Sequence, residues 1–191
     1  MADVKKIREK TENEKKDIDL GFIISLIVTC IVVYIFFTRI INIGSVPTSS
    51  MEPFLVPGDY CVINRLAYVT HDIDRGDVII CTANDRAESG NVLIKRVIGL
   101  PGEHISFDDG YVYINGQMCY EEYLPEDTET NCIKSFDIPE VPEDSYFVMG
   151  DNRLDSYDSR YWDDPFLKKS DIKGKLMSVI QVSKIKKDFH L

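Results

Sequence analysis

The chain has 191 residues, enough for one domain and a small appendage. Its 22 Lys and Arg against 32 Asp and Glu give a formal net charge of −10, which excludes the basic surface that nucleic-acid binding requires. Hydrophobic residues are 44% and charged residues 28%, so wholesale disorder is excluded. Five Cys with no CxxC pair leave neither a disulfide scaffold nor a zinc finger.

Residues 1–19 mix Lys and Glu and suit a solvated segment. Residues 20–38 follow without a single charge, a stretch of about 19 residues that matches a bilayer core. Before the closing Thr38 its hydroxyl residues are only Ser25 and Thr29, besides Tyr34, too few for the polar face of a core helix. Ile43-Gly44-Ser45 is a poor A-x-A site, which argues against a cleaved leader. The expected element is a retained transmembrane helix. Lys5, Lys6, Arg8, Lys10, Lys15 and Lys16 precede it, whereas only Arg39 follows closely. Basic residues stay inside, so the N-terminus is expected in the cytoplasm and residues 39–191 outside. The six basic and six acidic residues of the first segment cancel, leaving the −10 to the rest of the chain.

Past the span, residues 44–51 read as a loop of small residues, and β signals then dominate. Strands are expected at 60–63, 77–82, 92–98, 111–114, 146–149 and 176–182, each bounded by Gly or Pro turns. Asn115-Gly116 is a strong hairpin signal. Short strands at this spacing argue a mainly β, all-β type of domain. Residues 119–142 are acidic, contain three prolines and lack periodicity, and are read as a small insertion. Cys119 and Cys132 flank part of it, and a disulfide between them is one of several possible pairings.

Three His are available, but none accompanies a Gly-x-Ser-x-Gly elbow. His71 lies in a polar turn, His104 begins a strand, and His190 is near the C-terminus. A lysine base must instead be neutral, which requires apolar surroundings: its reference pKa of about 10.4 has to fall by roughly 2–3 units to work near pH 7–8. Lys95, in Val92-Leu93-Ile94-Lys95-Arg96-Val97-Ile98, is the lysine in such a setting. A Ser-x-x-Lys spacing at Ser170 and Lys173 lies in a charged stretch without the accompanying elements of penicillin-binding enzymes and is discounted. The acidic run from Asp151 to Asp158 lacks the Gly and Glu of an EF-hand loop. Its acids and arginines are expected to form a buried charge network rather than a metal site.

Four segments, in order, resemble the type I signal peptidases, membrane-anchored Ser/Lys proteases of peptidase family S26, in their single-span Gram-positive-like form. They are Val46-Pro47-Thr48-Ser49-Ser50-Met51-Glu52-Pro53 with Gly58-Asp59; Arg75-Gly76-Asp77-Val78-Ile79; Lys95-Arg96-Val97-Ile98-Gly99-Leu100-Pro101-Gly102-Glu103; and Gly150-Asp151-Asn152-Arg153 with Ser156, Asp158-Ser159-Arg160 and Tyr161-Trp162. The resemblance implies a signal-peptidase-type β domain. Ser50 would be the nucleophile and Lys95 the general base. Thr48 and the Ser50 N–H would form the oxyanion hole, and Ser156 would orient the lysine amine. Asp151, Asn152, Arg153, Asp158 and Arg160 would be structural residues beside the site. Val46, Met51, Leu55 and Leu93 would line shallow pockets for small side chains. The family's usual Thr ahead of that leucine is not kept, and Phe54 precedes Leu55.

The implied reaction is cleavage of exported preproteins after an A-x-A signal through an acyl-enzyme. No metal or organic cofactor is expected, and the partners are secreted preproteins and the lipid bilayer. A desolvated Lys95 predicts kcat/KM rising through roughly pH 7–9. Two other classes compete. One is a cytosolic Ser/Lys autoprotease of the SOS-repressor type, which the span and the acidic charge disfavour. The other is a non-catalytic membrane-anchored β module that binds peptides, which would have no use for Ser50, Lys95 and Ser156 together.

Overall fold

The structure is a computed structural model that describes residues 20–83, 85, 90–126, 128–130, 137–182 and 184. The chain divides into two compact units, Met1–Arg39 and Ile40–Leu191. In the first, α1 (Leu20–Ile35) continues into a π-helical turn, Phe36–Ile40. Every residue of α1 is exposed, as expected of an apolar helix whose solvent is lipid. Its polar side chains are satisfied locally: Thr29 Oγ1 donates to the Ser25 carbonyl at 2.8 Å, and Thr38 Oγ1 to that of Tyr34 at 2.8 Å. Among the described residues, Leu20–Ile40 is the one helix long and apolar enough to cross a membrane.

The second unit is mainly β, as the turn spacing predicts. Its strands are β1 (Ile41–Ser45), β2 (Tyr60–Asn64), β3 (Val78–Thr82), β4 (Val92–Gly99), β5 (Ile105–Asp108), β6 (Tyr111–Ile114), β7 (Gln117–Met118), β8 (Asp137–Ile138), β9 (Ser145–Met149), β10 (Leu167–Lys168) and β11 (Ile172–Ile180). A short helical turn, α2 (Ala67–Thr70), follows β2. One sheet has seven strands in the order β1-β2-β11-β3-β4-β9-β10, and the other has four in the order β7-β6-β5-β8. Every recorded strand pairing is antiparallel.

Four strands escape the sequence pattern: β1, the two-residue β7 and β8, and β10. β1 occupies part of what reads as a loop, because Asn42, Gly44 and Ser45 carry little β propensity and the strand exists by pairing with β2. β10 is too short to register as a pattern. The last strand runs from Ile172 to Ile180 rather than over 176–182. The Asn115-Gly116 hairpin forms as expected, with both residues at positive φ, 51° and 77°, the requirement of a type I′ turn.

The strands nearest the site are buried on both faces. All five residues of β9 are buried, as are four of the five in β3. One cluster gathers Ile79, Cys81, Val97, Tyr146, Val148, Trp162 and Leu167 between β3, β4 and β9. A second joins Ile98, Phe147 and Met149 of the large sheet to Ile105, Val112 and Ile138 of the small one. A third holds Val46, Met51, Leu55 and Val78 beneath the segment that carries Ser50.

Candidate active site

Ser50 sits just beyond β1, in a turn held from both sides. Val46 before it and Met51 and Leu55 after it are buried. Backbone bonds close the segment: Glu52 N donates to the Ser49 carbonyl at 2.9 Å and Leu55 N to that of Met51 at 2.9 Å. Buried apolar neighbours thus fix a loop whose own polar residues stay accessible. Thr48 is exposed and Ser50 half-buried, with Oγ1 and Oγ 3.3 Å apart.

Lys95 comes from β4. Side chains alternate along a strand, so Lys95 shares a face with Leu93 and Val97 and lies opposite Ile79 of β3. The residue is 3% exposed. Its Nζ donates to Ser156 Oγ at 3.0 Å. Lys95 and Ser50 line one cleft of about 480 Å³, together with Pro47, Thr48, Ser49, Leu93 and Asp155. A buried amine beside apolar walls is the environment in which a lysine can give up its charge.

Ser156 is placed by the irregular segment 150–160, which three Arg–carboxylate pairs hold. Arg96, adjacent to Lys95, donates from Nε to Asp151 Oδ1 at 2.8 Å and from Nη2 to Oδ2 at 2.6 Å. Arg153 bonds both oxygens of Glu121, at 2.7 and 2.6 Å. Arg160 bonds both oxygens of Asp158, at 2.8 Å each. Asp158 also accepts from Gly150 N at 2.9 Å, and Arg153 Nε donates to the Gly150 carbonyl at 3.0 Å. Forked pairs of this kind are geometrically specific. The acidic run that sequence spacing disqualified as a calcium loop is therefore a charge network. Arg96 is further covered by the rings of Tyr123 and Phe54, whose centroids lie 3.9 and 5.2 Å from Cζ. That contact gives Phe54, which precedes Leu55, a packing role.

The pocket residues separate. Leu93 lines the cleft, whereas Val46, Met51 and Leu55 are buried in the cluster below it. His71 is exposed and bonded to Thr70, and His104 caps the hairpin through a backbone bond to Asn115; neither lines the cleft. Ser170, in the turn before β11, and Lys173, on β11, are both exposed, and neither lines the cleft. His190 and Cys132, and with it the suggested Cys119–Cys132 pairing, lie outside the described residues.

Several residues gain a part that no sequence pattern assigned to them. A methyl group on Gly150 would stand 2.3 Å from both Ser156 Oγ and the Ser50 carbonyl, so only glycine fits where the two segments meet. Glu121 is Arg153's partner from the acidic stretch that reads as an insertion. Asp155, Tyr157 and Asn91 line the cleft. Motif membership could have flagged Gly150. Nothing local could have flagged Glu121, whose partner is 32 residues away.

A β domain that gathers a serine and a buried lysine in one cleft has the makings of a Ser/Lys hydrolase. Residues 20–181 match the model of the family described as signal peptidase, peptidase S26, and the chain belongs to that family. A "Signal peptidase I P" of Bacillus subtilis subsp. natto is 34% identical over 155 residues, covering 78% of this chain and 82% of that protein. A "Probable signal peptidase I-2" of Synechocystis is 40% identical over 122 residues, covering 61% of this chain. That match spans only 53% of the Synechocystis protein's length. A crystal structure of a signal peptidase I from Enterococcus faecalis is 32% identical with a TM-score of 0.47, covering 56% of this chain and 98% of that one.

Proposed function

We propose that this chain is a membrane-anchored serine endopeptidase that removes signal peptides from exported preproteins, with Ser50 as nucleophile and Lys95 as general base. The observation that carries the reading is the buried Lys95 amine, bonded to Ser156 in the cleft that also contains Ser50. Family membership supports the substrate class.

In this reading neutral Lys95 takes the Ser50 hydroxyl proton as Oγ attacks the scissile carbonyl carbon. The Ser50 N–H and the Thr48 hydroxyl donate to the resulting oxyanion, each worth about 2.7–4 kcal/mol in comparable sites. The carbon–nitrogen bond then breaks, and the Lys95 ammonium returns its proton to the departing amine. Water, deprotonated by Lys95, attacks the acyl-enzyme and frees Ser50. Ser156 keeps the amine aimed throughout, while Asp151, Asn152, Arg153, Asp158 and Arg160 hold the segment that carries it. Leu93 offers an apolar wall suited to small residues, and the buried Val46, Met51 and Leu55 hold the segment that carries Ser50.

The apolar helix would anchor the enzyme with its lysine-rich N-terminus in the cytoplasm and residues 39–191 outside, where cleavage sites emerge. Tethering confines enzyme and substrate to one surface and raises their effective concentration. The decisive experiment is cleavage of a synthetic A-x-A preprotein by detergent-solubilised wild type and Ser50→Ala. Cleavage by both, or by neither, overturns the assignment.

A further inference from the structure

Ser49 and Asp155 are 106 residues apart, yet Ser49 Oγ donates to Asp155 Oδ2 at 2.7 Å. The two residues are the immediate neighbours of Ser50 and Ser156. Asp155 therefore grips the segment that carries the serine, while Ser156 grips the Lys95 amine. Further bonds tie the same two segments. Asn152 Nδ2 donates to the Ser49 carbonyl at 3.2 Å, and Asn152 N to the Ser50 carbonyl at 3.1 Å. The turn that presents Asp155 is closed by its own N–H, which donates to the Asn152 carbonyl at 3.2 Å. One short turn thus holds both the Ser50 loop and the Lys95 amine.

We infer that Asp155, acting through Ser49, is a positioning residue that keeps the nucleophile in register with its base. The inference rests on the Ser50–Lys95 reading above. A hydrogen bond to a carboxylate is stronger than a neutral one. The Asn152 bonds hold only the backbone of residues 49 and 50. The side-chain clasp adds restraint against rotation of the turn, and so fixes the direction of both the Ser50 hydroxyl and its N–H. Misplacement of reacting groups by a fraction of an ångström penalises the chemical step more than substrate binding.

The test uses the full chain in detergent with a signal-peptide substrate, comparing Asp155→Ala, Ser49→Ala, the double variant and Asp155→Asn, each normalised to folded protein by circular dichroism. Each alanine variant should lose about tenfold in kcat, with KM within about twofold of wild type. The double variant should lose no more than either single one, because both remove the same bond. Asp155→Asn should recover most of the rate, since its amide oxygen still accepts from Ser49. Three results would each overturn the inference: unchanged kcat, additive losses in the double variant, or a rise in KM alone, which would make Asp155 a direct substrate contact. Ser50→Ala runs alongside. If it retains activity, the nucleophile assignment fails; if it is dead while the Asp155 and Ser49 variants are fully active, only the positioning role fails.

Discussion

At the scale of single residues, the site depends on a lysine that must be uncharged. Lys95 is buried on a strand face shared with Leu93 and Val97, the surroundings that the proposed base requires. Lys95→Ala and Ser50→Ala should each abolish cleavage with an unchanged far-UV spectrum, since nucleophile and base act as one unit. Lys95→Arg should be equally inactive, because a guanidinium does not release its proton. In the proposed mechanism activity falls as pH is lowered, with the acid limb kept in Ser156→Ala at a lower plateau; a limb that vanished in His104→Ala would implicate a different base. Thr48→Ala separates two roles for a hydroxyl 3.3 Å from Ser50 Oγ. If the hydroxyl meets charge that exists only in the transition state, kcat drops by about 10²-fold with KM little changed. A change confined to KM would make Thr48 a substrate contact.

At the scale of elements, segment 150–160 has almost no regular structure and is held by ion pairs. Asp158 and Arg160 are both fully buried, as is Arg153 against Glu121. Removing one partner of a buried pair strands the other charge, at a cost of about 3–5 kcal/mol. Asp158→Ala should therefore lower the unfolding free energy, measured by urea denaturation, by that amount and release the Gly150 N–H it accepts from. Replacing both Asp158 and Arg160 with apolar residues should cost less than the single change. Gly150→Ala tests the junction of the two segments differently. Its methyl would overlap the Ser50 carbonyl and Ser156 Oγ, so activity should be lost even if stability is restored by a ligand or osmolyte.

At the scale of the whole molecule, the clusters that hold the β domain draw on residues from Val46 onward, and no residue of α1 is buried. Residues 40–191 expressed alone should keep the β-type circular dichroism and a cooperative thermal transition. Cys81 reports on the integrity of the largest cluster. Burial pushes its thiol from 9.0 up to about 12. The folded state thus favours the protonated form. Its contribution to stability is complete below about pH 9 and is lost as pH rises through about 12. Partial burial and a neighbouring carboxylate also raise the phenols of Tyr68 and Tyr123, which act with the same sign. The thermal midpoint should decline above pH 9, less steeply in Cys81→Ala than in wild type. Equal slopes would mean that the thiolate is not what opposes the alkaline fold.

Most of the fold class was legible in the chain alone. An uncharged run of bilayer length, alternating strands and Asn-Gly at positive φ are short-range signals, and each acts within a few residues of itself. The same holds for Lys95: a lysine flanked by Leu93 and Val97 on one strand face has apolar neighbours whatever the topology. The order β2-β11-β3 could not be read, because β11 enters between strands that precede it in sequence, and no local pattern encodes a partner so distant. β1 was missed for the same reason, since its pairing with β2 makes it a strand. The charge network followed suit: the acids and arginines of 151–160 announced themselves, but Arg96 for Asp151 and Glu121 for Arg153 were decided by which surfaces the sheets brought into contact. The clasp of Asp155 on Ser49 belongs to that second kind, two ordinary polar residues that acquire a joint task only when the fold closes 106 residues of chain between them.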